Sequence, residues 1–168
     1  MAIRTRAQES GFSMIEILVA ILILSVGLLG MAALMASSLR NSQSANFRSQ
    51  ATNLAYNYMD MMRANGANAP NYARTGFTNP AVCPAAPAAF DISDCGNQHT
   101  CDRSKWAREL CTALPNGRGR AQVTAVGSSG YYDVQVEVCW SDDRSEGGVV
   151  TTDCDGDGET SFILESRI

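Results

Sequence analysis

The chain has 168 residues, of which 45% are hydrophobic, and a formal net charge of −4. This length is enough for one domain with a modest core and one membrane element. The acidic balance argues against a nucleic-acid-binding protein, because phosphate recognition needs a basic face. Most of the hydrophobic excess lies between Phe12 and Ala36, whereas the chain beyond residue 40 has the polar composition of an exported domain.

The N-terminal part divides into a polar leader, residues 1–11, and an apolar stretch, residues 12–36, in which Glu16 is the one charged residue. About 20 apolar residues are enough to cross about 30 Å of hydrocarbon as a helix. Arg4 and Arg6 ahead of the stretch favour a cytoplasmic N-terminus and an external C-terminal part. An ordinary secretory signal would have a shorter apolar region. A plain membrane anchor would leave Glu16 unexplained, since an unpaired carboxylate in an apolar run is costly.

The residues around position 11 resemble the class III signal of type IV prepilins, with Gly11, Phe12 and Glu16 in the matching places. The resemblance implies that a prepilin peptidase cleaves after Gly11 and methylates the new N-terminal Phe12. It also implies that Glu16 pairs with the N-terminal amine of a neighbouring subunit during assembly. An amine and a carboxylate are each costly in apolar surroundings, and pairing offsets that cost. Glu16 is therefore interpreted as an assembly residue and not as a catalytic acid.

One long helix is predicted from about Phe12 to about Asn65, because proline is absent between residues 12 and 69. Its second half, residues 37–66, is amphipathic and has Gly66 as a stop signal. The apolar residues step by three and four, which predicts one face packed on a globular head. This face consists of Phe47, Ala51, Leu54, Tyr58 and Met61.

The same segment, from Ser38 to Asn65, is similar to minor pilins of the PilV type. This resemblance implies a structural subunit of the type IV pilus that supports pilus biogenesis, twitching motility or adhesion. Its implied partners are other major and minor pilins, the prepilin peptidase, the inner-membrane pilus assembly platform and, before assembly, membrane lipid; nucleic acid is not among them. The implied location is the bacterial inner membrane with a periplasmic head, residues 67–168, and later the pilus at the cell surface.

The head is predicted to be α+β, which agrees with the type IV pilin-like fold that the resemblance implies for the whole chain. Residues 66–100 have a loop-like composition rich in proline and small residues. A short helix is predicted to begin near Thr100 and to end at Pro115-Asn116-Gly117. An antiparallel sheet packed on the long helix follows, with alternation of period two clearest in its second strand. The predicted strands are Ala121–Val126, Tyr132–Trp140 and Ser161–Arg167.

All six cysteines lie in the polar half of the chain: Cys83, Cys95, Cys101, Cys111, Cys139 and Cys154. An even number behind an export segment predicts up to three disulfides in an oxidising compartment. A zinc site is the alternative, but there is no CxxC pair and His99 does not complete a standard zinc spacing. Six cysteines allow 15 connectivities. A Cys139–Cys154 bridge is the preferred pairing, and closing a loop of that size contributes about 3 kcal/mol.

An acidic segment near the C-terminus resembles the start of an EF-hand calcium loop, with Asp153, Asp155 and Asp157 at alternate positions. The twelfth position, where a glutamate is required, is Leu164. Two interpretations stay open, namely a weak calcium site and an acidic loop kept soluble by its charge. No nucleophile–base arrangement is visible, so no enzymatic activity and no other cofactor are expected.

Two alternative functions stay open. The first is a minor pseudopilin of a type II secretion system, a class that has the same kind of N-terminal signal. The second is an adhesive or calcium-binding module carried on a pilus, in which the loops of the head make the contact.

Overall fold

The computed structural model describes residues 11–77, 96–142, 154 and 158–168. Its fold is α+β and pilin-like: a long N-terminal helix whose later part packs on a small antiparallel sheet. The elements in chain order are α1 (Met14–Ala64), a 3-10 helix (Gly66–Tyr72), α2 (Gln98–Ala113), β1 (Arg118–Ala125), β2 (Tyr132–Ser141) and β3 (Glu159–Arg167). The chain divides into two compact units, Met1–Gln43 and Ser44–Ile168.

The described part of the first unit is the exposed half of α1. Every residue from 11 to 43 is exposed. The helix begins directly after Ser13, whose carbonyl oxygen accepts hydrogen bonds from the backbone N–H of Glu16 at 3.0 Å and of Ile17 at 3.3 Å. By length and composition this helix is able to cross a membrane.

The second unit is built on a three-stranded antiparallel sheet in the order β1-β2-β3. β2 is the central strand, and its Val136 lies opposite Ala121 of β1 and Leu164 of β3. The outer edge of β1 is extended by one bridge, because Arg74 and Ala121 exchange backbone hydrogen bonds of 2.7 and 3.0 Å. The bridge ties the segment after the 3-10 helix to the sheet.

The later part of α1 buries one face in the core of this unit. The predicted stripe is centred slightly off the observed one, since Ala51 and Tyr58 are fully buried whereas Phe47, Leu54 and Met61 are only partly so. The buried residues of the helix are Ala51, Ala55, Tyr58, Met59 and Met62. Ala51 and Ala55 are small, whereas Tyr58, Met59 and Met62 bring large side chains into the core.

Helix α2 places Trp106 at the centre of the core. The indole stacks on the ring of Tyr58 with 4.0 Å between centroids, and its Nε1–H donates to the carbonyl oxygen of Leu54 at 3.0 Å. Gly119 of β1 lies against the indole so closely that an added Cβ would clash with Trp106 and with Leu110. The sheet and both helices therefore meet at one aromatic cluster.

Several predicted boundaries differ from the structure; β3, for example, begins at Glu159 and not at Ser161. β1 begins at Arg118 and not at Ala121, since Arg118 pairs with Cys139 and Gly119 with Val138. Helix α2 begins at Gln98, ahead of the predicted start at Thr100. The segment predicted to be loop-like begins with a 3-10 helix that contains Pro70 and ends at the fully buried Tyr72.

Candidate functional site: the N-terminal motif and the disulfide cluster

The N-terminal motif lies at the start of helix α1. Ser13 occupies the position just before the helix, and Glu16 is the third helical residue and the acidic residue of the first turn. A serine followed three residues later by a glutamate is the pattern of a helix capping box, which the sequence analysis did not use. A carboxylate in the first turn is also favoured by the helix dipole. The local structure thus accommodates Glu16 without burying it.

The surroundings of Glu16 are apolar but open. Phe12 and Met14 are 81% and 84% exposed, and the following aliphatic residues up to Leu39 are exposed as well. Exposed apolar surface on this scale marks a surface that is covered by lipid or by another protein. A cleavage between Gly11 and Phe12 would create an amine four residues from Glu16, within that same apolar band.

The structure confirms the preferred disulfide of the head. Cys139, near the end of β2, is bonded to Cys154, which precedes β3. Cys101 and Cys111 of α2 are also disulfide-bonded. Cys83 and Cys95 lie outside the described residues. The Cys139–Cys154 bond closes the connection between β2 and β3 at the end of the sheet where β2 ends and β3 begins.

A buried ion pair lies directly beside this disulfide. Arg118 Nη2 donates to Glu159 Oε1 at 2.5 Å and lies 3.5 Å from the Sγ atom of Cys139. The side chains of Arg118 and Glu159 are only 1% and 3% exposed. The guanidinium also lies over the ring of Phe77, 5.5 Å from its centroid. This group of charged and sulfur-containing side chains, which we call the disulfide cluster, comprises Arg118, Cys139, Cys154 and Glu159.

The disulfide cluster gives little support for a metal site. Cys139, Cys154 and Glu159 place their ligand atoms within 4.8 Å of one another. However, both cysteines are engaged in the disulfide, and the Arg118 guanidinium already occupies the carboxylate. A cation there would have to displace a buried positive charge. The predicted calcium ligands Asp153, Asp155 and Asp157 lie outside the described residues.

A second polar network joins α1, the 3-10 helix and α2. Tyr72 donates its hydroxyl hydrogen to Asp102 Oδ2 at 2.5 Å, and Gln98 Nε2 donates to Asp102 Oδ1 at 2.8 Å. The Tyr58 hydroxyl donates to the backbone oxygen of Tyr72 at 2.9 Å, and Asn65 Nδ2 donates to the Tyr72 hydroxyl oxygen at 3.2 Å. The network satisfies the polar groups that Tyr58, Tyr72 and Asp102 bring into the core.

Both tyrosines of this network resist ionisation. Burial, reinforced by the hydrogen bond to Asp102, raises the pKa of Tyr72 to about 12. Burial likewise raises the pKa of Tyr58. At the surface the opposite case occurs, since the hydrogen bond from Arg167 lowers the pKa of Asp133. These groups stabilise the head and do not form a catalytic arrangement.

Sequence reasoning found the N-terminal motif and the disulfide but missed the buried arginine. The residues Arg118-Gly119-Arg120 form the start of β1. The available signal was that Arg118 lies at the start of β1 and that the following strand, β2, contains Cys139. Pairing of Arg118 with Cys139 depends on the register between β1 and β2, which local sequence does not specify.

Comparison with known proteins identifies the N-terminal motif. The family model described as the prokaryotic N-terminal methylation motif matches residues 6–32. No curated protein and no solved structure matches the chain. The matched motif is of the prepilin type, and it indicates a type IV pilin-like or pseudopilin-type protein. Proteins with this motif are structural, and the motif implies processing by a prepilin peptidase and assembly with other pilins.

Proposed function

We propose that this chain is a minor pilin, incorporated in the type IV pilus or priming its assembly. The observation that carries the proposal is the prepilin-type motif at the start of an exposed apolar helix, with Glu16 as the one charged residue of residues 12–36. The similarity of residues 38–65 to PilV-type minor pilins favours the pilus. The protein would thereby support pilus biogenesis, twitching motility or adhesion.

The proposed mechanism is structural. Before assembly, residues 12–36 lie in the inner membrane with the head in the periplasm. A prepilin peptidase cleaves after Gly11 and methylates Phe12. On extraction by the inner-membrane assembly platform, Glu16 forms an ion pair with the N-terminal amine of a neighbouring pilin. The exposed apolar side chains of the helix exchange lipid for the helices of other subunits, which keeps their burial nearly constant.

The first alternative is a minor pseudopilin of a type II secretion system, because the N-terminal motif is common to both classes. Co-purification separates the two. A minor pilin is recovered with fibres sheared from the cell surface, whereas a pseudopilin is recovered with the secretion complex in the envelope. Recovery only with the secretion complex would overturn the pilus assignment.

A second alternative makes the head an adhesive or calcium-binding module. In that case substitutions in the acidic loop would leave fibres intact but abolish attachment. Calorimetry of the full chain in detergent with calcium tests the metal. Absence of heat at millimolar calcium would remove this alternative.

The role of Glu16 is tested by Glu16→Gln, which keeps the shape of the side chain and removes its charge. We expect the variant to be processed and to reach the membrane, but to be strongly depleted from sheared fibres. Ser13→Ala is the matched control, since it changes the same helix start without touching a carboxylate. Equal recovery of Glu16→Gln and wild type in fibres would contradict the proposed pairing.

A further inference from the structure

The disulfide cluster has two sulfur atoms in unlike environments. Cys139 is fully buried, whereas Cys154 is half-buried and lies at the mouth of the connection to β3. An incoming thiolate therefore has access to the Cys154 sulfur and not to the Cys139 sulfur. In thiol–disulfide exchange the sulfur that is not attacked becomes the leaving group. The geometry thus makes Cys139 the leaving thiolate.

The leaving sulfur lies beside a cation with unused hydrogen-bonding capacity. Arg118 Nη2 is 3.5 Å from the Cys139 sulfur. Among the described residues, the Nε and Nη1 atoms of Arg118 have no hydrogen-bond partner although the side chain is buried. A neighbouring arginine stabilises a thiolate relative to a thiol. A thiolate formed at Cys139 would strengthen the contact that Arg118 Nη2 already makes with this sulfur, because a charged acceptor forms a stronger hydrogen bond than a neutral one.

The other charges near Cys139 set the strength of this effect. Glu159 partly neutralises Arg118 and therefore opposes a second negative charge at Cys139. The next pair along the strands, Arg120 with Glu137 at 2.6 Å, is balanced within itself. The positive charge that stabilises a thiolate at Cys139 is therefore that of Arg118, and Glu159 weakens this effect.

We propose that Cys139–Cys154 is a thiol–disulfide exchange site whose redox poise is set by Arg118. A thiolate of a dithiol reductant attacks the sulfur of Cys154, a new S–S bond forms, and the Cys139–Cys154 bond breaks with its electron pair on Cys139. The second thiolate of the reductant then attacks its own sulfur in the mixed disulfide and releases Cys154, which takes a proton from water. The dithiol is oxidised and the cystine is reduced by the same two electrons. In the reverse direction, the arrangement makes Cys139 a ready nucleophile during oxidative folding.

The test is a redox titration of the full-length protein in detergent, in buffers of reduced and oxidised dithiothreitol at pH 8. Thiols are trapped by alkylation, and peptide mass analysis reports Cys139 and Cys154 separately from Cys101 and Cys111. Arg118→Gln removes the cation. We therefore expect the midpoint ratio, that is, the ratio of reduced to oxidised dithiothreitol at which half of the disulfide is reduced, to rise about tenfold, equivalent to about 30 mV for two electrons. Glu159→Gln leaves Arg118 less neutralised, and we expect the midpoint ratio to fall by about threefold or more.

Three further measurements separate this effect from a general loss of stability. Arg118→Lys keeps the charge and is expected to stay nearer to wild type than Arg118→Gln. Arg167→Gln breaks an exposed ion pair with Asp133 and is the matched control, with an unchanged midpoint. A glutathione mixed disulfide trapped during reduction should be found on Cys154.

The midpoint ratio is expected to rise in Arg118→Gln and to fall in Glu159→Gln, and these opposite shifts make the proposal falsifiable. A purely structural ion pair would weaken the fold in both variants and would make the disulfide easier to reduce in both. Easier reduction in both variants would overturn the proposal. An unchanged midpoint in Arg118→Gln or a mixed disulfide on Cys139 would also overturn it. If Arg118→Gln does not accumulate, Arg118→Lys and Glu159→Gln decide together. A midpoint ratio of Arg118→Lys clearly below that of wild type, the direction expected of a weakened fold, overturns the proposal. A midpoint ratio of Glu159→Gln equal to or above that of wild type also overturns it.

Discussion

At the scale of single residues, Gly119 is required by the contact between β1 and the indole of Trp106. A Cβ at this position would meet Trp106 and Leu110 inside a filled core. We expect Gly119→Ala to lower the free energy of unfolding by about 1–3 kcal/mol, the usual cost of overpacking. Gly76→Ala is the matched control, because a Cβ at Gly76 meets open space. Denaturant unfolding followed by tryptophan fluorescence measures both, and equal stabilities would contradict the packing described.

The raised pKa of Tyr72 predicts a loss of stability in alkali. An unfolded tyrosine has a pKa near 10, and the pKa of Tyr72 in the folded protein is about 12. The contribution is complete below pH 10, and stability falls as pH rises toward 12, because the unfolded state loses its proton first. Tyr72→Phe removes this titration. Its unfolding free energy should therefore fall less steeply between pH 10 and 12 than that of wild type, with the remaining slope coming in part from Tyr58. An equally steep fall would contradict the prediction.

The residues of the N-terminal motif could be predicted from sequence, whereas the buried Arg118 could not. Gly11, Phe12 and Glu16 stand together in a short contiguous pattern whose chemistry is local. Arg118 acquires its role from Cys139 and Glu159, which are 21 and 41 residues away along the chain. Such a role depends on strand register, and an arginine read alone predicts an exposed position.

At the scale of elements, α2 is held to the core by a narrow apolar face. Leu110 is fully buried, and Lys105 on the same helix is exposed and lies 4.0 Å from Glu109. We expect Leu110→Ala to lower the free energy of unfolding by about 2–5 kcal/mol through loss of apolar contacts and creation of a cavity. Lys105→Ala should change it by less than about 1 kcal/mol. Thermal unfolding measured by circular dichroism compares the two, and similar losses would show that α2 is not docked through this face.

The elements were predictable to the extent that their periodicity was local. Strict alternation over nine residues specified β2, and the absence of proline specified α1. The start of β1 was missed because its first residues, Arg118 and Gly119, have no strand preference and are fixed by pairing with β2. The stripe of α1 was placed slightly off centre, since Ala55, Met59 and Met62 are fully buried whereas Leu54 and Met61 are only partly so. Which of these neighbouring positions faces the core depends on tertiary contacts, which local periodicity does not specify.

At the scale of the whole molecule, the two units differ in how their apolar residues are covered. The second unit, Ser44–Ile168, has its own core around Trp106 and at least one disulfide that closes it. The described part of the first unit exposes an apolar helix surface and has no buried residue. Such a surface needs lipid or other subunits. A prepilin-type protein has both in succession, first as a membrane-anchored precursor and then as a subunit of a filament.

The central claim is that the chain is processed as a prepilin, and the most direct measurement is the intact mass and N-terminal peptide of the protein from its own envelope. Cleavage after Gly11 predicts a chain that starts at Phe12 and carries one added methyl group. The same peptide in Glu16→Gln should be processed in the same way, since the proposed role of Glu16 comes after cleavage. A chain that still starts at Met1, in cells that process their other pilins, would contradict the account.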